Sequence, residues 1–335
     1  MAYADIAKVS GLLFYPDTEP GIRRRRAGRG FSYTAADGTR IDDTVERARI
    51  AAIAVPPAYG DVWISPLPKG HLQATGFDDR ERKQYRYHAD WTAHHALLKF
   101  ENLGQFAQTL PGLRRWIASR LRGEVGDRDT AIAATLALID RASLRVGNGI
   151  YAAQNGSYGA TTMLNDHGTF EGGRVRLDYI GKGGARIEKD FHAPRLAEVL
   201  DACQDLPGAE IITWIDDAGT SHPVRSDHIN QTLHTLCGDH ATAKTMRTWN
   251  GSLAAFEVAA QPGKLSIAAM ADAASDVLCN TPTVARNSYV HPSVIALAEM
   301  EATEREAFMK KLAKSPDIAG LRQHEPALAA LLQMT

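Results

Sequence analysis

At 335 residues the chain is long for one core, since single cores stop growing at roughly 250–300 residues and longer chains split into domains. Hydrophobic residues at 44% and charged residues at 23% exclude a disordered or fibrous chain. With 38 Lys and Arg against 39 Asp and Glu the net charge is -1, so composition gives no global sign of a nucleic-acid protein, and any basic surface must be local.

Two domains are expected, residues 1–91 and 92–335. The first is rich in turn signals (Asp37-Gly38, Pro56-Pro57, Pro66, Pro68) between short runs such as Val62-Trp63-Ile64 and Tyr85-Arg86-Tyr87, with one helix expected over Asp43 to Ile53. It reads as a small, mainly β domain. Two basic blocks stand out here: Arg23, Arg24, Arg25, Arg26 and Arg29, which as a charge run read as a solvated turn, and Arg80, Arg82, Lys83 and Arg86.

From residue 92 helical periodicity dominates, over 92–101, 103–122 and Asp129 to Ser143. A β island follows, with strands expected at Ala160 to Leu164, Val175 to Ile180 and Arg186 to Phe191. The last two are joined by Gly181-Lys182-Gly183-Gly184, a turn that can supply positive φ and would place Lys182 at a hairpin tip. Helices are then expected at 194–203, 226–237, 247–259, 264–278 and 293–313. The fold class is α+β: a small β-rich domain and a larger, mostly helical one containing a three-stranded element.

Cys203, Cys237 and Cys279 lie far apart without CxxC spacing, which fits reduced thiols and excludes a zinc ribbon. The opening residues lack a charged stretch followed by an apolar one, and no apolar run approaches ~20 residues, so a soluble cytoplasmic protein without membrane contact is expected. No GxxxxGK(S/T) phosphate loop, HExxH helix, calcium loop or GxSxG elbow is present, so neither a nucleotide nor a metal cofactor is expected.

What remains is a scattered set suited to phosphodiester chemistry. Arg145 lies in Leu144-Arg145-Val146-Gly147-Asn148, and Lys182 in the glycine turn. Arg247 lies in Ala243-Lys244-Thr245-Met246-Arg247-Thr248-Trp249-Asn250-Gly251-Ser252, and Asn280 and Tyr289 bracket Thr281 to Ser288. Taken singly, each has a bland explanation: a surface salt bridge for either arginine, a solvated turn for Lys182, a core phenol for Tyr289. Their order and context resemble the small poxvirus-and-bacterial type of topoisomerase IB. The resemblance runs from about residue 20 to 300 and takes in the segment Gly70 to His88, which looks like that family's DNA-facing strand.

The resemblance implies a monomer acting on double-stranded DNA, in the cytoplasm and on the nucleoid. Tyr289 would be the nucleophile forming a 3′-phosphotyrosyl ester, Arg145 and Arg247 would clamp the scissile phosphate, and Lys182 would protonate the departing 5′ oxygen. The chemistry needs such groups, because attack on a phosphodiester adds negative charge to the nonbridging oxygens and two guanidinium forks can stabilise it. A tyrosine phenol, with a pKa of about 10, needs cationic help to surrender its proton.

Where the family usually carries a histidine, nine residues before the nucleophile, this chain has Asn280, which can donate a hydrogen bond but stays neutral; His291 is a weaker substitute. Lys83, Gln84, Tyr85 and Tyr87 are expected to contact DNA from one strand, and Tyr151 resembles a family position that touches the duplex. Two alternatives stay open: a tyrosine recombinase or integrase, disfavoured because Ala243 to Met246 puts no histidine just before Arg247, and a noncatalytic DNA-binding module.

Overall fold

The computed structural model describes residues 11–79 and 81–334, apart from the side chains of 95–99 and 151. Arg80 and the first ten residues, with most of the opening stretch read above, lie outside that set. The chain forms two compact units, one reaching to Lys99 and the other starting at Phe100.

The first unit is built on an antiparallel sheet in the order β2-β1-β3-β4-β5, from β1 (Ile22–Ala27), β2 (Gly30–Thr34), β3 (Gly60–Ile64), β4 (Leu72–Phe77) and β5 (Lys83–Tyr87). Helix α1 (Thr44–Ala52) starts where the Asp43 carboxylate accepts the Glu46 N–H at 2.7 Å. Ile50 from this helix joins Ile22, Val62, Ile64 and Ala74 from the strands in one apolar core. The arginine block is not a solvated turn, because Arg23 to Arg26 lie within β1 and side chains alternate along a strand. Arg24 donates to the carbonyls of Val55, Pro56 and Tyr59 and stacks 4.2 Å over the Phe31 ring, while Arg23, Arg25 and Arg26 remain exposed.

Helix α2 (Ala89–Glu101) leads into α3 (Leu103–Arg120) and α4 (Arg128–Ala142). The sequence of α4, rich in Ala and Leu, favours helix, and every residue from Thr130 to Asp140 is buried, as expected of a central helix. Helix α5 (Gly149–Asn155) precedes a three-stranded antiparallel sheet of β6 (Gly168–Glu171), β7 (Arg174–Ile180) and β8 (Arg186–His192). The β7–β8 hairpin is the expected one, closed by a tip at Lys182–Gly184 in which Gly183 and Gly184 both take φ of 80°.

The third strand is not where the sequence places it. Ala160 to Leu164 forms a turn whose amides go to a neighbouring loop: Ala160 N–H donates to Arg145 O at 2.8 Å and Thr161 N–H to Val146 O at 2.7 Å. The β-branched threonines that read as strand instead brace the loop carrying Arg145.

After α6 (Pro194–Gln204), the small pair β9 (Thr213–Ile215) and β10 (Ser221–Pro223), and α7 (Ser226–Cys237) come the helices that carry the later motifs: α8 (Ala243–Ala259), α9 (Ile267–Leu278) and α10 (Pro282–Tyr289). Helix α8 packs against α4 and α9, and α9 against α10. The helix expected at 293–313 is broken into α11 (Pro292–Ala296), a short turn at Leu297–Glu299 and α12 (Ala302–Leu312), because Met300 and Glu301 are extended with ψ of 144° and 145°. A final helix, α13 (Glu325–Gln333), packs on α3. Among the described residues no helix is long and apolar enough to cross a membrane.

Candidate active site

Helix α4 ends at Ser143, whose left-handed backbone (φ 55°, ψ 33°) turns the chain out of the helix and into Leu144 and Arg145. Helix α9 ends the same way at Cys279 (φ 49°, ψ 59°), immediately before Asn280. Two helix C-termini therefore meet here, each with carbonyls that no intrahelical N–H satisfies and each carrying partial negative charge.

Those carbonyls hold the two arginines. Arg247, on α8 and only 4% exposed, donates through Nη1 to Ser143 O and through Nη2 to Leu278 O at 3.0 Å. Arg145 is half-buried and donates to Cys279 O at 3.5 Å. Neither has an ion-pair partner among the described residues, and the Arg247 Nε–H, though shielded, is unpartnered. Burial, followed by the nearby charge of Arg145, pushes the Arg247 guanidinium below the ordinary arginine range, an effect opposed by Tyr289. Two guanidinium groups sharing one small pocket with N–H groups to spare can accept an anion with several oxygens.

Tyr289 ends α10 with its ring centroid 5.4 Å from the Arg247 guanidinium carbon. Its backbone rests directly on α8. A Cβ added at Gly251 would lie 2.9 Å from Leu278 Cδ1, 3.1 Å from Tyr289 O and 3.2 Å from Tyr289 Cβ, so any side chain here would push Leu278 and the Tyr289 backbone outward. Next to it the fully buried Ser252 hydroxyl donates to Tyr289 O at 3.1 Å and accepts the His291 N–H at 2.9 Å, gripping the chain on both sides of Val290. Gly251 and Ser252 lie in the motif around Arg247, but the sequence carried no sign that they would meet Tyr289.

Asn280 is held by its backbone N–H, which donates to Ser275 O at 3.2 Å. Both polar atoms of its side chain are shielded from solvent and have no hydrogen-bond partner among the described residues. Buried polar groups are nearly always paired, so this amide, next in the chain to the carbonyls that hold the two arginines, keeps both its donor and its acceptor available. His291 does not substitute for it. The imidazole is buried against Phe100 at 5.3 Å, its Nδ1 accepts the Ser293 N–H at 3.1 Å to start α11, and burial pushes its pKa down to about 4, so it is neutral near pH 7.

Lys182 stands exposed at the hairpin tip with no hydrogen bond or ion pair among the described residues. Its neighbour Gly181 lines a small cavity with Arg145, Tyr179, Lys189 and Arg247, whereas Lys182 itself is not among the lining residues. Arg145, Arg247 and Tyr289 thus gather about this corner of the fold, Asn280 sits at its edge, and Lys182 stands outside the cavity. The sequence missed Lys189 on β8, which donates to Val277 O at 2.9 Å and ties the hairpin to the end of α9.

In the first unit, β5 is an edge strand. Lys83, Tyr85 and Tyr87 share one face, with the two rings stacked at 6.1 Å and the Lys83 ammonium paired to Asp17 at 2.5 Å. Gln84 points to the opposite face and donates to Asp78 at 3.0 Å, as alternation along a strand requires. Tyr151 lies in α5, and its side chain is outside the described residues.

The sequence that builds this site has counterparts among known proteins. Residues 88–314 match the model of the eukaryotic DNA topoisomerase I catalytic core, and residues 30–78 match that of the bacterial DNA topoisomerase IB N-terminal domain. The chain belongs to the type IB DNA topoisomerase family. A DNA topoisomerase 1B from Acanthamoeba polyphaga mimivirus is 27% identical over 237 residues, covering 70% of each chain. The protein is an enzyme of this type with DNA as its substrate, and membership sets aside both the recombinase and the noncatalytic module.

Proposed function

We propose that this topoisomerase relaxes supercoiled DNA by attack of the Tyr289 hydroxyl on a backbone phosphate, leaving a 3′-phosphotyrosyl ester and a free 5′ hydroxyl. Arg145 and Arg247 hold the nonbridging oxygens, the Asn280 amide donates a third hydrogen bond, and Lys182 moves in on its glycine turn to protonate the departing 5′ oxygen. Rotation of the free end releases torsional strain. Attack of the 5′ hydroxyl on the phosphotyrosine then reseals the strand, and since the ester conserves the bond energy, neither ATP nor a metal ion is needed.

The observation that carries this reading is the placement of Tyr289 beside a buried Arg247 that no carboxylate among the described residues neutralises. The same reading has the protein act as a monomer in the cytoplasm, on nucleoid DNA. The first unit would close on the duplex through Lys83, Tyr85 and Tyr87, with Gln84 and Tyr151 as further contacts. Binding should then weaken with salt, log K falling by about 0.9 per phosphate neutralised for each unit of log salt.

The test is relaxation of supercoiled plasmid in EDTA without ATP by the wild type and Tyr289→Phe in parallel, with covalent complex trapped by denaturant. Relaxation and covalent complex in the wild type alone support the mechanism. A Tyr289→Phe protein that still relaxes DNA, or a wild type that needs metal or ATP, overturns it.

A further inference from the structure

The match to the catalytic core stops at residue 314, yet the chain beyond it returns to the interior. Helix α13 buries Ala327, Leu328, Ala329, Leu331 and Leu332, and its first residue, Glu325, is 0% exposed. A carboxylate taken wholly from water needs partners, and Glu325 has four hydrogen bonds. Arg114 donates to Oε2 at 2.6 Å and to Oε1 at 2.8 Å, Trp249 Nε1–H donates to Oε1 at 2.9 Å, and the Arg322 N–H donates to Oε2 at 2.6 Å.

These partners lead to the site by two routes. Trp249 is two residues from Arg247 on α8. Arg114, in turn, grips Asp140 of α4 in a fork at 3.0 Å on both oxygens, and Arg322 adds a third ionic contact to the same carboxylate. The Asp140 carbonyl accepts the Asn250 amide at 3.1 Å, the same amide donates to Ser143 Oγ at 2.9 Å, and Ser143 O receives Arg247. Glu325 therefore braces α4 just before it delivers Arg145 and α8 where it carries Arg247, and its charge completes a set of two carboxylates and two guanidinium groups.

We infer that Glu325 is a positioning residue for the phosphate-binding arginines, so that the segment after residue 314 belongs to the catalytic unit. The inference rests on the assignment of Arg145 and Arg247 to the scissile phosphate. Replacing the carboxylate by an amide would keep the volume and one acceptor but leave Asp140 alone to balance both Arg114 and Arg322. The end of α4 and the Arg247–Trp249 turn of α8 would then lose their common anchor, while the DNA-binding surface of the first unit is untouched.

The test is single-turnover cleavage of a duplex oligonucleotide, with DNA affinity and melting temperature measured on the same proteins. Glu325→Gln should slow cleavage about 10-fold with affinity within about 2-fold of wild type at temperatures where the variant is folded. Trp249→Phe, which removes one donor and keeps the packing, should slow it by less, and Glu325→Asp should recover part of the loss. A double-mutant cycle separates positioning from general destabilisation: in an Arg247→Lys background, Glu325→Gln should add little further loss, whereas independent effects would multiply.

Multiplying effects, or a Glu325→Gln enzyme that is folded and cleaves at the wild-type rate, would overturn the inference. If Glu325→Gln does not fold, Trp249→Phe carries the same cycle, and a folded Trp249→Phe enzyme with the wild-type cleavage rate would overturn it equally. Arg247→Ala reports on the underlying assignment. A wild-type rate in that variant would defeat the phosphate-clamp reading itself, and a slow Arg247→Ala beside a fast Glu325→Gln would defeat only the role of Glu325.

Discussion

Removing the Asn280 amide should make the protein slower without making it less stable. Most buried side-chain amides are paired, and truncating one leaves its partners orphaned. Asn280 is different, since both of its polar atoms are shielded and unpartnered among the described residues, so Asn280→Ala strips no partner of its bond. The substitution relieves a desolvation cost on the order of 1–3 kcal/mol. At roughly 2–4 °C per kcal/mol for a unit of this size, the melting temperature should stay level or rise by a few degrees. Loss of one preorganised donor to a developing phosphate charge, by contrast, costs roughly 100-fold or more in rate. Thermal melts, with single-turnover cleavage and DNA affinity measured in parallel, separate the two effects. A fall in melting temperature with an unchanged cleavage rate would show that Asn280 serves the fold, and the argument from its unpaired atoms would be refuted.

Ser252→Ala should do both kinds of damage, because it leaves Tyr289 O and the His291 N–H unpaired in a buried position. A loss of about 2 kcal/mol in urea unfolding and about a 10-fold slower cleavage are expected, and an unchanged rate would rule out a role in holding Tyr289. His291 gives the fold an acid sensitivity. Its folded pKa of about 4 lies below the ordinary 6.5, so the unfolded chain takes up the proton first as pH falls. Stability is therefore full above pH 6.5 and declines toward pH 4, by up to about 3 kcal/mol. Urea midpoints at about pH 7 and about pH 5 should show this decline, and His291→Asn, which keeps an acceptor for Ser293 N–H, should flatten it.

The elements that sequence made legible are those whose signals are local. Gly181 to Gly184 marked the β7–β8 hairpin because only glycine enters the needed φ cheaply, and the apolar run of α4 marked a buried central helix. The order of Arg145, Arg247 and Tyr289 was legible too, through resemblance. What stayed hidden depends on contacts between distant residues. Thr161 and Thr162 have the β-branched character of a strand, but their segment satisfies its amides on the Arg145 loop. Arg24 sits in an arginine run like its neighbours, yet it alone turns inward onto three carbonyls. Glu325 gives no sign of its reach, since the Trp249 and Arg114 side chains that it holds lie 76 and 211 residues away along the chain.

A net charge of -1 also misled, and the structure gives the reason. Many of the arginines are already paired: Arg174 with Asp190, Arg186 with Asp178, and Arg114 with Asp140 and Glu325. Arg145 and Arg247 are held instead by backbone carbonyls at the ends of α4 and α9. A carboxylate in the same place would fix a guanidinium equally well but would cancel its charge, and phosphate would have to displace it. A helix C-terminus carries only about half a charge, spread over several carbonyls, so it can orient two arginines and leave most of their positive charge available. Composition counts charges without asking which are already neutralised, and for a phosphate site the unneutralised ones decide.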